Sequence, residues 1–362
     1  MNASGLILAP LGALYSAAMR VRLSLYRTGA LRVHRIASPV ISVGNITTGG
    51  TGKTPIVEWV ARAVAKEGRR ACILTRGYGR RDAGKRVLVS DGEQILADAV
   101  KGGDEPRLLA ERLQGVAAVI SDADRVAAAR WAEENLKSNL FILDDGFQHL
   151  RIARDLDIVA VDATNAWGGG RLLPVGRLRE PLSGLTRASI VILTRCEQAP
   201  EIDSLRKKAE RLSGGRPVLL SRTRAKAIRP LNEATMTSDV SGISPQPSSF
   251  IPLPTSLQPV AAFCALGNPA AFFALVRSNG HDASYTRAFP DHHAYRQTDL
   301  DALVMAAKQR GARALLTTAK DAVKLRSLRF DLPCYVMEIG LEFDEEEKLT
   351  GMIREAIKVR PD

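Results

Sequence analysis

Aromatic residues make up only 5% of this 362-residue chain. That leaves little on which exposed bases can stack, and it weighs against single-stranded nucleic acid as a partner. Cysteine is also scarce. Cys72, Cys196, Cys264 and Cys334 are far apart, form no C-x-x-C pair and mostly fall in apolar strand-like runs. They read as buried free thiols suited to a reducing cytoplasm. The longest apolar stretch, Gly5 to Met19, is shorter than the roughly 18–20 residues that span a bilayer, and Pro10 interrupts it. It has no basic leader, and Arg20, Arg22 and Arg27 follow it where a signal peptide would have a cleavage site. Acidic residues are outnumbered, 39 to 51, giving a net charge of +12 that favours an acidic partner: nucleic acid, an anionic membrane or a phosphorylated substrate.

What is present is a globular composition, with 45% hydrophobic and 25% charged residues and length enough for two domains. The chain is organised around ISVGNITTGGTGKTPIVEWVARAV, Ile41 to Val64. A β-branched run passes through a glycine turn into Gly52-Lys53-Thr54 and an amphipathic helix, the arrangement of a phosphate-binding loop. Thr48, Gly49, Gly50, Thr51, Gly52, Lys53 and Thr54 form the expected nucleotide cradle. Backbone N–H groups and the helix N-terminus attract phosphate oxygens, the lysine adds a full charge, and the Thr54 hydroxyl is placed for magnesium. Thr47 stands where the strict pattern has its first glycine.

Further along, strands and helices alternate, which demands a mainly parallel sheet. RRACILTRGYGRR is a strand ending in an arginine–glycine loop, for which substrate contact and a plain turn both fit. VLVSDGEQI reads as a hairpin. Asp104 follows Lys101-Gly102-Gly103 at a helix start, in the position of an N-cap. Capping and proton acceptance both suit it. NLFILDDGFQH delivers Asp144-Asp145 at the end of an apolar strand, where a phosphate-loop protein keeps its magnesium carboxylate. Such buried carboxylates are costly without a cation or hydrogen bonds. His149 lies close enough in sequence to join them. GGGRLLPVGRLREPL brings Arg171, Arg177 and Arg179 together beside Glu180, a cationic loop matched to phosphate oxygens. SIVILTR closes the first sheet. Residues 223–258, rich in Ser, Pro and Thr, read as a linker or insertion, and a second α/β unit follows. In Asp291-His292-His293, adjacent histidines on extended chain point opposite ways, which favours one acid–base histidine over a metal pair. The N-terminal run is either a helix packed on the domain or an interfacial helix with its arginines on phosphate headgroups; the length of apolar chain in it favours the second.

VGNITTGGTGKTP, TRGYGR, GDEP, LDDGFQH, LLPVGRLRE, FPDHHAY and TTAKDAVK follow in this order over nearly the whole chain. Together they resemble the tetraacyldisaccharide 4′-kinase family of lipid A biosynthesis. The resemblance implies an α/β protein of two α/β/α, Rossmann-like phosphate-loop domains with mainly parallel sheets and an N-terminal amphipathic helix. The corresponding divisions are a membrane-associated segment 1–36, a kinase domain 37–222, a linker 223–258 and a smaller C-terminal domain 259–362. It implies transfer of the ATP γ-phosphoryl group to the 4′-hydroxyl of tetraacyldisaccharide 1-phosphate, forming lipid IVA. The implied location is peripheral, on the cytoplasmic face of the bacterial inner membrane, with an anionic membrane surface and the lipid as partners and no nucleic acid.

Carried onto this chain, the resemblance gives Lys53 and the cradle the β- and γ-phosphates of ATP. Mg2+ falls to Thr54 with Asp144, Asp145 or Glu180. Asp104 becomes the base, oriented by His292 of the second domain, and Arg179 and Arg125 offset charge on the transferred group. Arg76, Tyr78 and the N-terminal segment fall on the lipid side, with His149 near the substrate. The 223–258 stretch is longer and more polar than the family pattern needs. The choice of His292 over His293 rests on the family motif. A competing class is a phosphate-loop ATPase switch of the partitioning or metal-chaperone type. Its extra lysine would fall where Thr48 stands.

Overall fold

A computed structural model describes residues 3–77, 80, 82, 84–231 and 253–358, with side chains from residue 10 onward. The chain forms two compact units, one from residues up to Arg222 together with those from Leu341, the other from Thr223–Gly340. In the first, α1 (Ala3–Arg27) precedes β1 (Val40–Asn45), α2 (Lys53–Lys66), β2 (Ala71–Thr75), β3 (Val87–Ser90), the single-turn α3 (Ala99–Gly102), α4 (Asp104–Arg112) and β4 (Ala117–Ser121). Then come α5 (Arg125–Asn135), β5 (Leu140–Asp144), β6 (Leu156–Asp162), β7 (Ile190–Thr194) and α6 (Ile202–Leu212). β8 (Val218–Pro230) carries the chain into the second unit. There β9 (Val260–Cys264), α7 (Pro269–Ser278), β10 (Ala283–Ala288), α8 (Gln297–Gln309), β11 (Ala314–Thr318) and α9 (Ala319–Leu325) follow. β12 (Cys334–Phe343) leads back to α10 (Glu346–Ile357) of the first unit.

The first unit's strands lie in the order β8-β7-β6-β1-β5-β2-β4-β3. Neighbours are parallel except for β3, which runs antiparallel on β4. Every residue of β1, β2, β4, β5, β6 and β7 is buried, as expected of β-branched strands covered on both faces by crossover helices. From β1 the chain moves out past β5 to β2, and after β5 it crosses to β6 on the other side of β1. This reversal opens a crevice at the carboxyl ends of β1 and β5, where ligands of open α/β sheets bind. Val43 pairs with Asp144 there. The second unit carries its own parallel order, β10-β9-β11-β12. This is the α/β architecture expected, and all four cysteines are buried free thiols whose pKa values burial pushes up.

Several boundaries differ from the sequence reading. β7 does not close the first sheet, because β8 adds to it, and residues 223–230 belong to that strand rather than to a linker. The alternation of arginine and lysine with small residues there hides a strand with one wet face. Residues 232–252 of the proposed insertion lie outside the described residues. The Asp91 turn forms, with Asp91 Oδ1 accepting from the backbone of Glu93 and Gln94, but it yields only an isolated Ser90–Ile95 bridge instead of a full hairpin. The C-terminal helix also departs from the expected division. Leu349, Ile353 and Ile357 of α10 join the first unit's core with Ile41, Val57 and Val60. Periodicity marks an apolar helix face but not the core it enters.

α1 exists as a helix, yet it does not divide simply into an apolar and a polar face. Gly12, Tyr15, Met19, Leu23 and Tyr26 are half-buried, while Leu11, Leu14, Val21 and Leu25 stay exposed on an adjoining stripe. Among the described residues no helix is long and apolar enough to cross a membrane.

Truncating Ile353 to Ala, a fully buried α10 side chain, is expected to lower stability by about 2–5 kcal/mol. Urea denaturation of the full chain followed by Trp59 fluorescence measures this, since Trp59 packs edge-on to Phe343 at 5.0 Å within the same unit. A change of a few tenths of a kcal/mol would mean that α10 is not part of that core.

Candidate active site

β1 ends in Gly44-Asn45, and both residues shape the loop that follows. A Cβ on Gly44 would lie 2.5 Å from Phe147 Cβ, so only glycine lets the turn after β5 pack this closely. Asn45 Nδ2 donates to Thr51 Oγ1 at 2.8 Å, and Thr194 Oγ1 donates to the Thr51 carbonyl at 2.8 Å. The arginine-rich loop lines the other edge. Thr48 N donates to the Arg177 carbonyl at 2.7 Å, Arg179 N donates to the Ile46 carbonyl at 2.8 Å, and Thr47 bridges Leu178. This pairing explains the missing first glycine. Thr47 is strand-paired and 5% exposed, while the left-handed positions fall on Gly49 (φ 108°) and Gly52 (φ 79°).

The parallel pairing of β5 with β1 puts the two aspartates beside this loop. Asp145 accepts from Arg179 Nη1 at 2.8 and 2.6 Å and lies 3.4 Å from Lys53 Nζ. Burial opposes its charge, but Lys53 and Arg179 outweigh it and hold the carboxyl at about 2. Asp144 is only 3% exposed. Burial, then Glu105 and Asp145, push its pKa up to about 7, against the pull of Lys53 and Arg125. One carboxylate is thus anchored on two cations and its neighbour is short of positive charge. An added cation suits the second. Among the described residues no three His, Cys, Asp or Glu side chains group as a metal site. Magnesium, however, needs only one or two protein carboxylates when phosphate oxygens and water complete its shell. Thr54, Asp144 and Asp145 therefore offer a hard-oxygen set that fits it.

Glu180 is fully buried. Its Oε2 lies 2.8 Å from Arg187 Nη1 and its Oε1 accepts from Gln148 Nε2 at 2.8 Å. The same Gln148 amide donates to the Asn45 carbonyl at 2.7 Å, and Arg187 stacks 4.4 Å over the Phe147 ring. Glu180 thereby ties the arginine loop to the strand–loop junctions. α1 reaches the same place: Tyr15 OH donates to the Arg179 carbonyl at 2.7 Å and Arg22 Nη2 to the Gln148 carbonyl at 2.9 Å.

Asp104 is the first residue of α4, one place beyond the expected cap; the cap is Gly103, at φ 100°. A glycine fits there because the backbone is left-handed and a Cβ would come within 3.4 Å of Gly77 Cα. The start of α4 therefore adjoins the Arg76–Gly77 loop. Arg76 is exposed, Arg125 is 5% exposed within charge reach of Asp144 and Asp145, and Tyr78 lies outside the described residues. In the second unit His292 adopts φ 61° and Asp291 Oδ1 accepts its backbone N–H at 3.1 Å. His293 is occupied otherwise, with Nε2 3.0 Å from Asp299 Oδ2 and its ring stacked on Phe289.

Lys53, Asp145 and Arg179 are thus in direct contact, with Asp144 and Arg125 close around them. Asn45, Gln148, Arg187 and Tyr15 were not singled out from sequence. Asn45 and Gln148 lie inside the phosphate-loop and LDDGFQH runs, which offered a signal. Arg187 and Tyr15 offered none, since only packing aims them here.

His149 Nε2 is buried without a hydrogen-bond partner. Burial, then Arg125 and Arg154, lower its pKa to about 4. An unfolded histidine titrates near 6.5, so between about pH 6.5 and 4 the unfolded chain binds the extra proton and stability falls as pH is lowered. His149→Gln is expected to lose about 2 kcal/mol less than the parent between pH 7.5 and 4.5 in urea denaturation. Equal losses would contradict a neutral His149.

The family model for tetraacyldisaccharide-1-P 4′-kinase matches residues 4–358. The chain is 40% identical over 319 residues to the tetraacyldisaccharide 4′-kinase of Geobacter metallireducens, covering 88% of each, and 37% identical over 341 residues to that of Desulfotalea psychrophila, covering 93% of each. The crystal structure of LpxK from Aquifex aeolicus in complex with ATP superposes with a TM-score of 0.75 at 30% identity, over 98% of this chain and 99% of that one. The phosphate loop, the tandem aspartates and the arginine loop therefore sit in a chain that belongs to the tetraacyldisaccharide 4′-kinase family.

Proposed function

We propose that this chain transfers the γ-phosphoryl group of ATP to the 4′-hydroxyl of tetraacyldisaccharide 1-phosphate, using Lys53, Arg179, Asp145 and Asp104. Membership of the family supports an ATP-dependent lipid A 4′-kinase. The observation that carries the residue assignment is the grip of one carboxylate, Asp145, on both Lys53 and Arg179 beside the glycine cradle. Two cations held side by side suit the charge that develops on a transferring phosphoryl group, which needs positioning and neutralisation more than covalent chemistry. Asp104, at a helix start beside the Arg76–Gly77 loop, takes the hydroxyl proton as the acceptor oxygen bonds to phosphorus and the bridging P–O bond breaks to release ADP. By the family motif, His292 takes part in the transfer as well. Thr54 with Asp144, Asp145 or Glu180 holds magnesium, which supplies charge neutralisation on the phosphates. The gathering of Glu180 by Arg187 and Gln148 favours the two aspartates for that duty.

The acceptor side and location follow from α1 and the basic balance. Leu11, Leu14, Val21 and Leu25 are 54%, 68%, 58% and 39% exposed on one stripe, and Arg20 and Arg27 are exposed on another side of the same helix. An exposed apolar stripe on a helix that also carries exposed arginines fits an anionic membrane surface, the cytoplasmic face of the inner membrane. Arg76, Tyr78, Arg125 and His149 serve the lipid or its phosphate. The competing switch-ATPase reading has less support, because it gives no use to Asp104 or to the apolar stripe.

Asp104→Asn is expected to cut phosphate transfer from labelled ATP to detergent-dispersed tetraacyldisaccharide 1-phosphate by about 10²–10⁴-fold. Nucleotide binding should persist. Full activity in this variant would end its role as base, and ATP turnover by the parent with no lipid product would end the kinase reading. Separately, Leu14→Glu with Val21→Glu should weaken co-sedimentation with phosphatidylglycerol vesicles while leaving the melting temperature in place. Unchanged sedimentation would refute the membrane-facing stripe.

A further inference from the structure

Next to His292, in the same unit, lies a lysine that no part of the transfer scheme above uses. Lys320 is the second residue of α9, and its Nζ is 3.4 Å from His292 Nε2 and 3.2 Å from Asp291 Oδ1. Its side chain is only 14% exposed. The helix start that carries it is held firmly. The next residue, Asp321, is fully buried and accepts from Thr318 Oγ1 at 2.7 Å, Tyr295 OH at 3.0 Å and the Ala265 backbone at 3.2 Å. The histidine's side of the contact is constrained as well. Its φ of 61° is uncommon for a residue with a Cβ, and His293 pins the turn through Asp299 and Phe289.

We infer that Lys320 is a positioning residue that fixes the tautomer and orientation of the His292 ring. A lysine ammonium has three donors and no acceptor, so the ring nitrogen facing it must present a lone pair. The neutral imidazole then carries its proton on Nδ1. Asp291 alone would favour the opposite tautomer, since its Oδ1 lies 3.9 Å from Nε2 and a carboxylate draws a proton to the nitrogen it faces. Lys320 sits on both and reverses that preference. The consequence is chemical: His292 offers an Nδ1–H donor to whatever it meets, a carboxylate or a phosphate oxygen. It orients such a group and does not accept a proton from it at that nitrogen. The kinetic part of this inference rests on the reading that His292 takes part in the transfer.

The test is an imidazole 15N–1H correlation spectrum of the full chain at about pH 9, where an ordinary histidine is neutral. With five histidines in the chain, His292→Gln identifies the resonance. The parent should show the Nδ1–H form, and an Nε2–H form would overturn the assignment without any variant at Lys320. Lys320→Met should move the ring toward Nε2–H and lower kcat about 10- to 100-fold, with KM for ATP within about twofold. Lys320→Arg should restore both the tautomer and most of kcat. An unmoved tautomer in a folded Lys320→Met protein would overturn the inference. Full transfer by His292→Ala would remove the catalytic reading of the histidine and the kinetic half of this proposal, while the spectrum decides the Lys320–His292 contact by itself.

Discussion

The contact on which the rest of the site depends is the ion-paired carboxylate of Asp145. It meets Lys53 from the start of α2 and Arg179 from the arginine loop, so two segments 126 residues apart in the chain share one anion. Like charges brought this close repel unless an anion lies between them. The carboxylate supplies that anion, and the two cations outweigh the opposing effect of burial on its charge. Asp144, one residue earlier, is pushed toward protonation by burial, Glu105 and Asp145 more than Lys53 and Arg125 pull it back. Two adjacent, chemically identical groups thus differ in charge preference because the strand end turns one outward to the cations and leaves the other in the sheet.

Around that contact the supports are mostly backbone. The arginine loop is stitched to the phosphate loop through Thr48 N and Arg179 N, and Glu180, Gln148 and Arg187 lock its base. α1 lies on the same assembly, with Tyr15 on the Arg179 carbonyl and Arg22 on the Gln148 carbonyl. The segment with an exposed apolar stripe is therefore bonded to the backbone of Arg179 and Gln148, beside the Lys53–Asp145–Arg179 cluster. A helix that settles on a surface through Leu14 and Val21 would bring the cation pair to that surface with it.

Much of this was legible in the chain. β-branched runs of five or six residues marked the buried strands, and glycine turns with Gly-Lys-Thr marked the phosphate loop. LDDGFQH at a strand end marked the carboxylates. The less legible parts share one cause. The basic outer face of β8 hides it in the sequence, and the periodicity of α10 gives a face without a partner and so leaves its core open. The cap of α4 fell on Gly103 because the left-handed backbone and the close approach to Gly77, not side-chain chemistry, decided it. α1 carries apolar residues on both a packed and an exposed stripe, so no pattern of one face against another could sort it.

The sequence by itself determined the α/β class, the phosphate loop and the family, because those rest on local patterns: continuous apolar β-branched runs, glycine positions and short motifs in order. Tertiary structure alone decided how the charges are shared. Whether Lys53 meets Asp144 or Asp145, whether Glu180 meets a guanidinium or open solvent, and which ring nitrogen of His292 faces Lys320 depend on strand register and loop packing over more than a hundred residues in some cases and on turn geometry in others. Electrostatic energy varies with distance and burial, and neither is written in the order of the residues.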